Sequence, residues 1–376
     1  MDEHALTRPS AQYAAGVAAG AWLADPAQHD ALAELDRIHD ALLASADRET
    51  GFVQRVLMRI RPKAGQRRWP VPVRGLYLWD GVGRGKTFLT ELLFETLPIA
   101  RKRRLHFHRF MADIHARLRA LPQQRDPLRI VARDLAAEAR LLVLDECAVT
   151  DIGDAMLLGH LLELLFAHGV TLVATSNIAP RDLYKDGLQR AQFLPAIAAI
   201  ERHCAVRQLD GAHDYRLRHL QQASTWSVPA DASSEGKLGA DFAQLAMGLP
   251  RLPETLRIND RPIVAKAHAD GIVWFEFAAL CDGPRAVADY IEIAREYHTV
   301  LVSNVPAFDT HAEDAAKRFV LLVDEFYDRH VNLLASAAAA PVALYRGRRH
   351  GADFARTESR LIEMQSDDYL ALEHRP

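Results

Sequence analysis

The sequence predicts an α/β protein: a parallel sheet flanked by helices, preceded by a helical segment and followed by a smaller α/β domain. Three observations carry that reading. Short β-rich runs with almost no polar residues, at 76–79, 105–108, 141–144, 170–173 and 205–206, alternate with helical stretches, and strands of that kind are buried on both faces. A glycine-rich turn at 81–87 follows the first run and opens a helical stretch. Finally, 376 residues with 49% hydrophobic and 25% charged content suffice for two or three globular domains.

Taken in order, the apolar run at 14–24 follows a start with Asp2, Glu3 and Arg8 and passes into Asp25-Pro26-Ala27-Gln28. It therefore reads as an N-terminal helix and not as a secretory leader. Leu32, Leu35, Ile38, Leu42 and Leu43 recur at helical spacing, and a Pro- and Arg-rich link follows at 59–72. The expected divisions are a helical region at 1–70, the core at 71–220, a Ser-, Ala- and Asp-rich linker at 221–236, and a second domain at 237–376. Within that domain, 255–258, 262–267 and 272–277 around Asp270-Gly271 read as a small antiparallel unit. Runs at 299–302 and 331–335 read as further strands, and 356–372 as an amphipathic helix with Leu361, Ile362, Met364 and Leu370 on its packed face.

The formal net charge of −3 exerts no global pull toward nucleic acid or anionic lipid. Cys147, Cys204 and Cys281 never form a CxxC pair, which excludes a disulfide framework and a zinc ribbon and fits a reducing compartment. No apolar run approaches the roughly 18–20 residues of a membrane span. A cytoplasmic protein without membrane insertion is expected.

Gly81-Val82-Gly83-Arg84-Gly85-Lys86-Thr87 lies between a strand and the helical stretch that begins at Phe88. Glycines let backbone N–H groups wrap phosphates, and the helix N-terminus adds its positive dipole end. Residues 81–88 are thus the expected ATP contacts, with Lys86 on the β- and γ-phosphates and Thr87 on Mg²⁺. Asp80 stands where the usual pattern has its first glycine, which places a carboxylate near the triphosphate.

Leu141-Leu142-Val143-Leu144-Asp145-Glu146 reads as the Walker B strand, with Asp145 holding Mg²⁺ and Glu146 polarising the attacking water. A similar string ends at Asp324-Glu325, but Phe319, Leu322, Val323, Phe326 and Tyr327 recur at helical spacing there. Asp145 lies 59 residues past Lys86 (145 − 86), against 238 for Asp324 (324 − 86), so the first string is the functional one. Asn177 ends the next strand, where a polar side chain reaches the γ-phosphate or the lytic water; capping of a helix at Pro180 is the alternative. Arg190 follows in Gly187-Leu188-Gln189-Arg190. Residues alone leave a solvated arginine and a transition-state arginine as equal readings.

Several linked segments carry a family resemblance: GLYLWDGVGRGKT from Gly75, HFHRFM from His106, Asp145-Glu146 with Val149-Thr150-Asp151-Ile152, TSN from Thr175, LYKDGLQR from Leu183, and DYIEIAREYHTVLVSNVP from Asp289. On these, nearly the whole chain resembles the AFG-like family of AAA+ ATPases, whose bacterial branch is the ZapE cell-division ATPases. The resemblance implies an AAA+ P-loop core, Mg²⁺-dependent ATP hydrolysis, and a homo-oligomer with a hexamer among the expected forms. It further implies an arginine finger at Arg190, supplied to a neighbour's nucleotide, and destabilisation of FtsZ polymers. Departures are Asp80, Cys147 and Ala148, and Gln192 where a second arginine is common. No sensor arginine is evident; Arg216 and Arg218 are the substitutes.

Arg101-Lys102-Arg103-Arg104, with Arg109, His115, Arg117 and Arg119, forms a basic cluster. A solvated face or a salt-bridged subunit interface, an acidic partner peptide and nucleic acid are the three readings; the acidic balance and missing stacking aromatics count against the last. His106 and His108 fall on one side of the expected strand with no third metal ligand. The stretch 314–336 repeats the helix-then-strand order of 155–176 without a phosphate loop, a scaffold at most. The leading function is an oligomeric ATPase that remodels a protein assembly. A helicase-loader-like ATPase acting on nucleic acid and a nucleotide-gated scaffold are the alternatives.

Overall fold

The computed structural model describes residues 7–20, 22, 24–50, 69–81, 85–209, 215–246, 253–259, 261–269 and 271–375. Contacts divide the chain into two compact units, Met1–His213 and Asp214–Pro376.

The first unit runs α1 (Pro9–Ala18), α2 (His29–Thr50), β1 (Gly75–Trp79), α3 (Lys86–Thr96), β2 (Lys102–His106), α4 (Phe107–Arg119), α5 (Pro127–Glu138), β3 (Leu141–Asp145), α6 (Ile152–Ala167), β4 (Thr171–Ser176), α7 (Leu194–His203) and β5 (Cys204–Gln208). Its five strands pair in parallel in the order β2-β3-β4-β1-β5, the α/β sheet expected from the sequence. Successive strand residues face opposite layers. Tyr77 enters the layer built with Phe107, Phe110 and Leu158, whereas Leu76 and Leu78 enter the layer with Phe88, Leu89 and Leu35. The N-terminal helices belong to that second layer through Tyr13, Leu35, Ile38 and Leu42. A Cβ on Gly75 would lie 1.7 Å from Leu172 O, so β1 and β4 approach closely only because this residue has no side chain. The link expected at 59–72 lies mostly outside the described residues.

One boundary in this unit is corrected. The run at 105–108 was expected as strand, but β2 ends at His106 and α4 begins at Phe107. Phe107, Phe110, Met111 and Ile114 are buried at helical spacing, and that period outweighs the short apolar alternation before it. His106 and His108 therefore do not share one side of a strand.

The second unit contains α8 (Tyr215–Gln222), β6 (Trp226–Ser227), α9 (Ala232–Leu245), β7 (Glu254–Ile258), β8 (Arg261–Ala265), β9 (Ala267–Ala269), β10 (Ile272–Glu276), α10 (Phe277–Cys281), α11 (Val287–Glu296), β11 (Thr299–Val305), α12 (Glu313–Asp328), β12 (Asn332–Ala337), α13 (Gly351–Glu363) and α14 (Asp367–Leu370). Its sheet has the order β6-β12-β11-β10-β9, with only β9 antiparallel, and β7-β8 form a separate hairpin. The expected antiparallel unit is thus corrected: β10 also pairs in parallel with β11. The expected linker at 221–236 is corrected as well. It holds β6, hydrogen-bonded to β12, and the start of α9, which Asp231 caps by accepting from Ser234 N. The C-terminal helix breaks after Glu363, and Ile362 is 50% exposed although Leu361, Met364 and Leu370 are buried. The second Asp-Glu string lies on α12, with Asp324 paired to Arg356 and Arg360. No helix among the described residues is long and apolar enough to cross a membrane.

Candidate functional site

The carboxyl ends of β1, β3 and β4 converge on the first turn of α3. Gly85 precedes that turn with φ 77°, a left-handed conformation open to glycine at little cost. Val82, Gly83 and Arg84 lie outside the described residues. Lys86, the first residue of α3, is 8% exposed. Its Nζ donates to Asp80 O at 2.8 Å, Gly81 O at 2.6 Å and Asn177 Oδ1 at 3.0 Å. Asp80 N in turn donates to Ser176 O. Asp80 therefore joins the site through its backbone, tying the turn to the end of β4.

Asp145 ends β3 with its carboxylate buried. Oδ1 lies 3.4 Å from Thr90 Oγ1, one turn after Thr87, and Thr90 also donates to Thr87 O. Oδ2 accepts from Arg104 Nε at 2.7 Å, and Arg104 lies 3.5 Å from Glu91. Thr90 was not singled out in the sequence, and Arg104 was read there only as part of the basic cluster. Thr90 is three positions past Thr87 and so shares its helix face. Arg104 stands two residues before His106, which pairs in register with Asp145, so Arg104 leaves β2 on the same side.

Glu146 takes φ 53°, a left-handed backbone rare outside glycine, asparagine and aspartate. Thr175 Oγ1 accepts from its N–H at 3.1 Å, and Cys147 N donates to Thr175 O at 2.7 Å. The Glu146 carboxylate lies 3.8 Å from His106 Nδ1. Ser176 Oγ donates to Cys147 O, and Tyr77 Oη to Ile178 O. These bonds fix the exits of β3 and β4 against each other. Burial pushes the Cys147 thiol up to about 12, so this sulfur is a packing group.

Arg190 is not brought into this cluster. It opens a short 3₁₀ turn, Arg190–Gln192, after Gln189 at φ 59°. Its only side-chain hydrogen bond among the described residues goes from Nη2 to Arg181 O at 2.5 Å. The loop before it is braced: Tyr184 Oη donates to Leu188 O, the Tyr184 ring meets Phe193 edge-on at 5.6 Å, and a Cβ on Gly187 would strike the Tyr184 ring at 2.2 Å. The structure thus presents a half-buried arginine on a stiff loop. Arg216 and Arg218 fall where side chains are outside the described residues.

Residues 7–373 match the AFG1-like ATPase family. The chain belongs to that family. This AFG1-like ATPase is 44% identical over 369 residues to Cell division protein ZapE of Escherichia coli K12, covering 97% of this chain and 98% of that protein. It is 34% identical over 346 residues to Lactation elevated protein 1 homolog B of Danio rerio, over 80% of this chain and 69% of that one. Among solved structures it is similar to AMPPCP-bound DnaA from Aquifex aeolicus, with TM-score 0.35 and 12% identity over 54% of this chain and 52% of that chain.

In this AFG1-like ATPase much of the basic cluster is consumed internally. Arg103 pairs with Asp113 and Glu138, Arg117 with the same two acids, and His115 with Asp154 at 2.7 Å. The hydrogen bond from Arg117 holds the Glu138 carboxyl below its ordinary value. Lys102 Nζ donates to Phe94 O and Leu97 O. These pairs lie within the chain itself and are not those of a subunit interface.

Proposed function

We propose that this AFG1-like ATPase hydrolyses ATP in a Mg²⁺-dependent reaction at the carboxyl edge of β1, β3 and β4, and that turnover remodels a division assembly. The observation that carries the reading is the direct bond between Lys86 and Asn177 beside the buried Asp145 carboxylate. Residues 81–88 would wrap the phosphates, with Lys86 on the β- and γ-phosphates. Thr87 and Asp145 are hard oxygen donors of the type Mg²⁺ takes, and Thr90 bonds both the Thr87 carbonyl and Asp145. They fit the ion, which would neutralise charge between the β- and γ-phosphates. Glu146 would orient and polarise the water, Asn177 would hold the γ-phosphate or that water, and Arg190 would serve a neighbouring copy in a homo-oligomer, a hexamer being the working form.

Identity of 44% to a protein named for cell division supports a divisional client, and FtsZ polymers are the one we propose, acted on in the cytoplasm. With Arg103 and Arg117 held by acids, the helicase-loader reading loses part of the charge that motivated it. The test is ATP turnover of wild type beside Glu146→Gln, with and without FtsZ polymers. Turnover abolished by the substitution, with polymers shortened by the wild type alone, is expected. Polymers shortened equally by both would overturn the coupling of hydrolysis to remodelling.

A further inference from the structure

The second unit repeats the first. Its strands β6, β12, β11 and β10 stand in the order of β1, β4, β3 and β2, all parallel. Intervening helices correspond: α9 to α3, α10 and α11 to α4 and α5, α12 to α6, and α13 to α7. Over the stretch from α6 onward the correspondence holds a constant separation of 161 residues. Pro180 matches Pro341 (341 − 180), Leu183 matches Leu344, Tyr184 matches Tyr345, and Phe193 matches Phe354. Both proline turns are short 3₁₀ helices, and both tyrosines pack on their phenylalanine, at 5.6 and 4.8 Å.

The duplication reaches hydrogen bonds that no generic sheet requires. Glu146, just after β3, and Asn304, the penultimate residue of β11, both have left-handed backbones, φ 53° and 62°. Glu146 N donates to Thr175 Oγ1 at 3.1 Å, and Asn304 N donates to Ser336 Oγ at 2.9 Å. His106 is in register with Asp145, as Glu276 is with Ser303. Two residues before each, Arg104 bonds Asp145 and Trp274 Nε1 bonds Ser303 Oγ.

What differs is the edge where nucleotide would sit. Residues 228–231 join β6 to α9, two fewer than residues 80–85 between β1 and α3. They read Val-Pro-Ala-Asp: no glycine, one N–H removed at Pro229, and the Ser234 N–H already taken by the Asp231 carboxylate. Such N–H groups are what a phosphate needs, and a carboxylate there repels it. Glu235, also in the first turn, accepts from Ser303 Oγ at 2.7 Å and pairs with Lys266. Lys266 Nζ also meets Glu276 at 2.6 Å and lies over the Trp274 ring at 4.7 Å.

We infer that the second unit is a degenerate copy of the first unit's ATPase core. Its nucleotide edge is closed by its own side chains, and the Lys266 ammonium neutralises Glu235 and Glu276 beside the counterpart of Asp145. The inference rests on the reading of the first unit's site for its template. Each chain therefore holds one nucleotide.

Calorimetric titration of the full chain with Mg²⁺ and AMPPNP tests it. One nucleotide per chain is expected for wild type and none for Lys86→Ala. Two per chain, or one surviving Lys86→Ala, would overturn it. No binding by wild type would defeat the first-unit reading and agree with a closed second unit. Independently, Lys266→Ala leaves Glu235 on α9 and Glu276 on β10 without their shared cation. Its thermal midpoint should fall below that of wild type, while Lys266→Arg, which keeps the cation, should hold it. A Lys266→Ala midpoint equal to wild type would show that the cluster does not close the edge.

Discussion

Asn177 Oδ1 accepts a hydrogen bond from Lys86 Nζ at 3.0 Å. The bond joins the exit of β4 to the first residue of α3, so the exposed amide senses where the buried ammonium stands. Removing a donor aimed at developing charge costs about 100-fold or more in kcat. Asn177→Ala should therefore lower kcat by about 100-fold with little change in KM, read by steady-state ATP turnover. An unchanged kcat would remove Asn177 from the reacting centre.

The Arg104–Asp145 pair is largely buried. Removing one partner of such a pair strands the other charge in a poorly solvated site, which costs about 3 kcal/mol. Arg104→Met should lower stability by that order in urea unfolding. A loss within a few tenths of a kcal/mol would mean that Asp145 is neutralised by another group.

Thr175 supports Glu146 through one hydroxyl. Thr175→Val keeps the shape and leaves the Glu146 N–H without that acceptor, a cost of about 1 kcal/mol. Turnover should fall by about tenfold, since the strained backbone that aims Glu146 loses its anchor. Thr175→Ser should retain wild-type turnover. Equal turnover in both variants would separate the hydroxyl from catalysis.

Among the described residues the Arg190 side chain hydrogen-bonds only Arg181 O, which suits action on another copy. Arg190→Ala should lose about 10³-fold in kcat, and Lys86→Ala should lose turnover as well. Mixing the two inactive proteins should restore part of the activity, because one supplies the arginine and the other the nucleotide. No recovery in subunits shown to co-assemble would place the finger elsewhere.

Burial pushes the thiols of Cys147, Cys204 and Cys281 up to about 12. The folded chain holds these protons more tightly than the unfolded chain, whose thiols ionise near 8.5. Stability from this source is full below the ordinary thiol value and is lost as pH rises from there toward about 12. In mildly alkaline buffer a maleimide should label none of the three in the native protein and all three in denaturant. Native labelling at the unfolded rate would contradict the burial.

The placement of Lys86 at the head of α3 and of Asp145 at the end of β3 was legible because a strand, a glycine turn and a helix follow one another in contiguous residues. Arg104 was not, since its partner lies 41 positions away and only the β2–β3 register brings them together. The β2–α4 boundary was misplaced because His106-Phe107-His108 alternates for three residues before the helical period of Phe110, Met111 and Ile114 becomes visible. Residues 221–236 misled for a different reason. A Ser-, Ala- and Asp-rich stretch is the composition of a linker and equally that of an N-cap with a first helical turn, and Asp231 makes it the second. The matching order of 155–176 and 314–336 was visible, but the shared turn bonds depend on backbone angles that no residue pattern states.

The left-handed position near the end of each unit's inner strand carries a different side chain in the two units. Glutamate at φ 53° is held there against its preference, whereas asparagine at φ 62° is among the residues that accept such angles readily. Under the role proposed for Glu146, its carboxylate outweighs that backbone cost, whereas the second unit carries the side chain that suits its backbone. Substituting Glu146 by asparagine should then give a sturdier protein with an idle first unit.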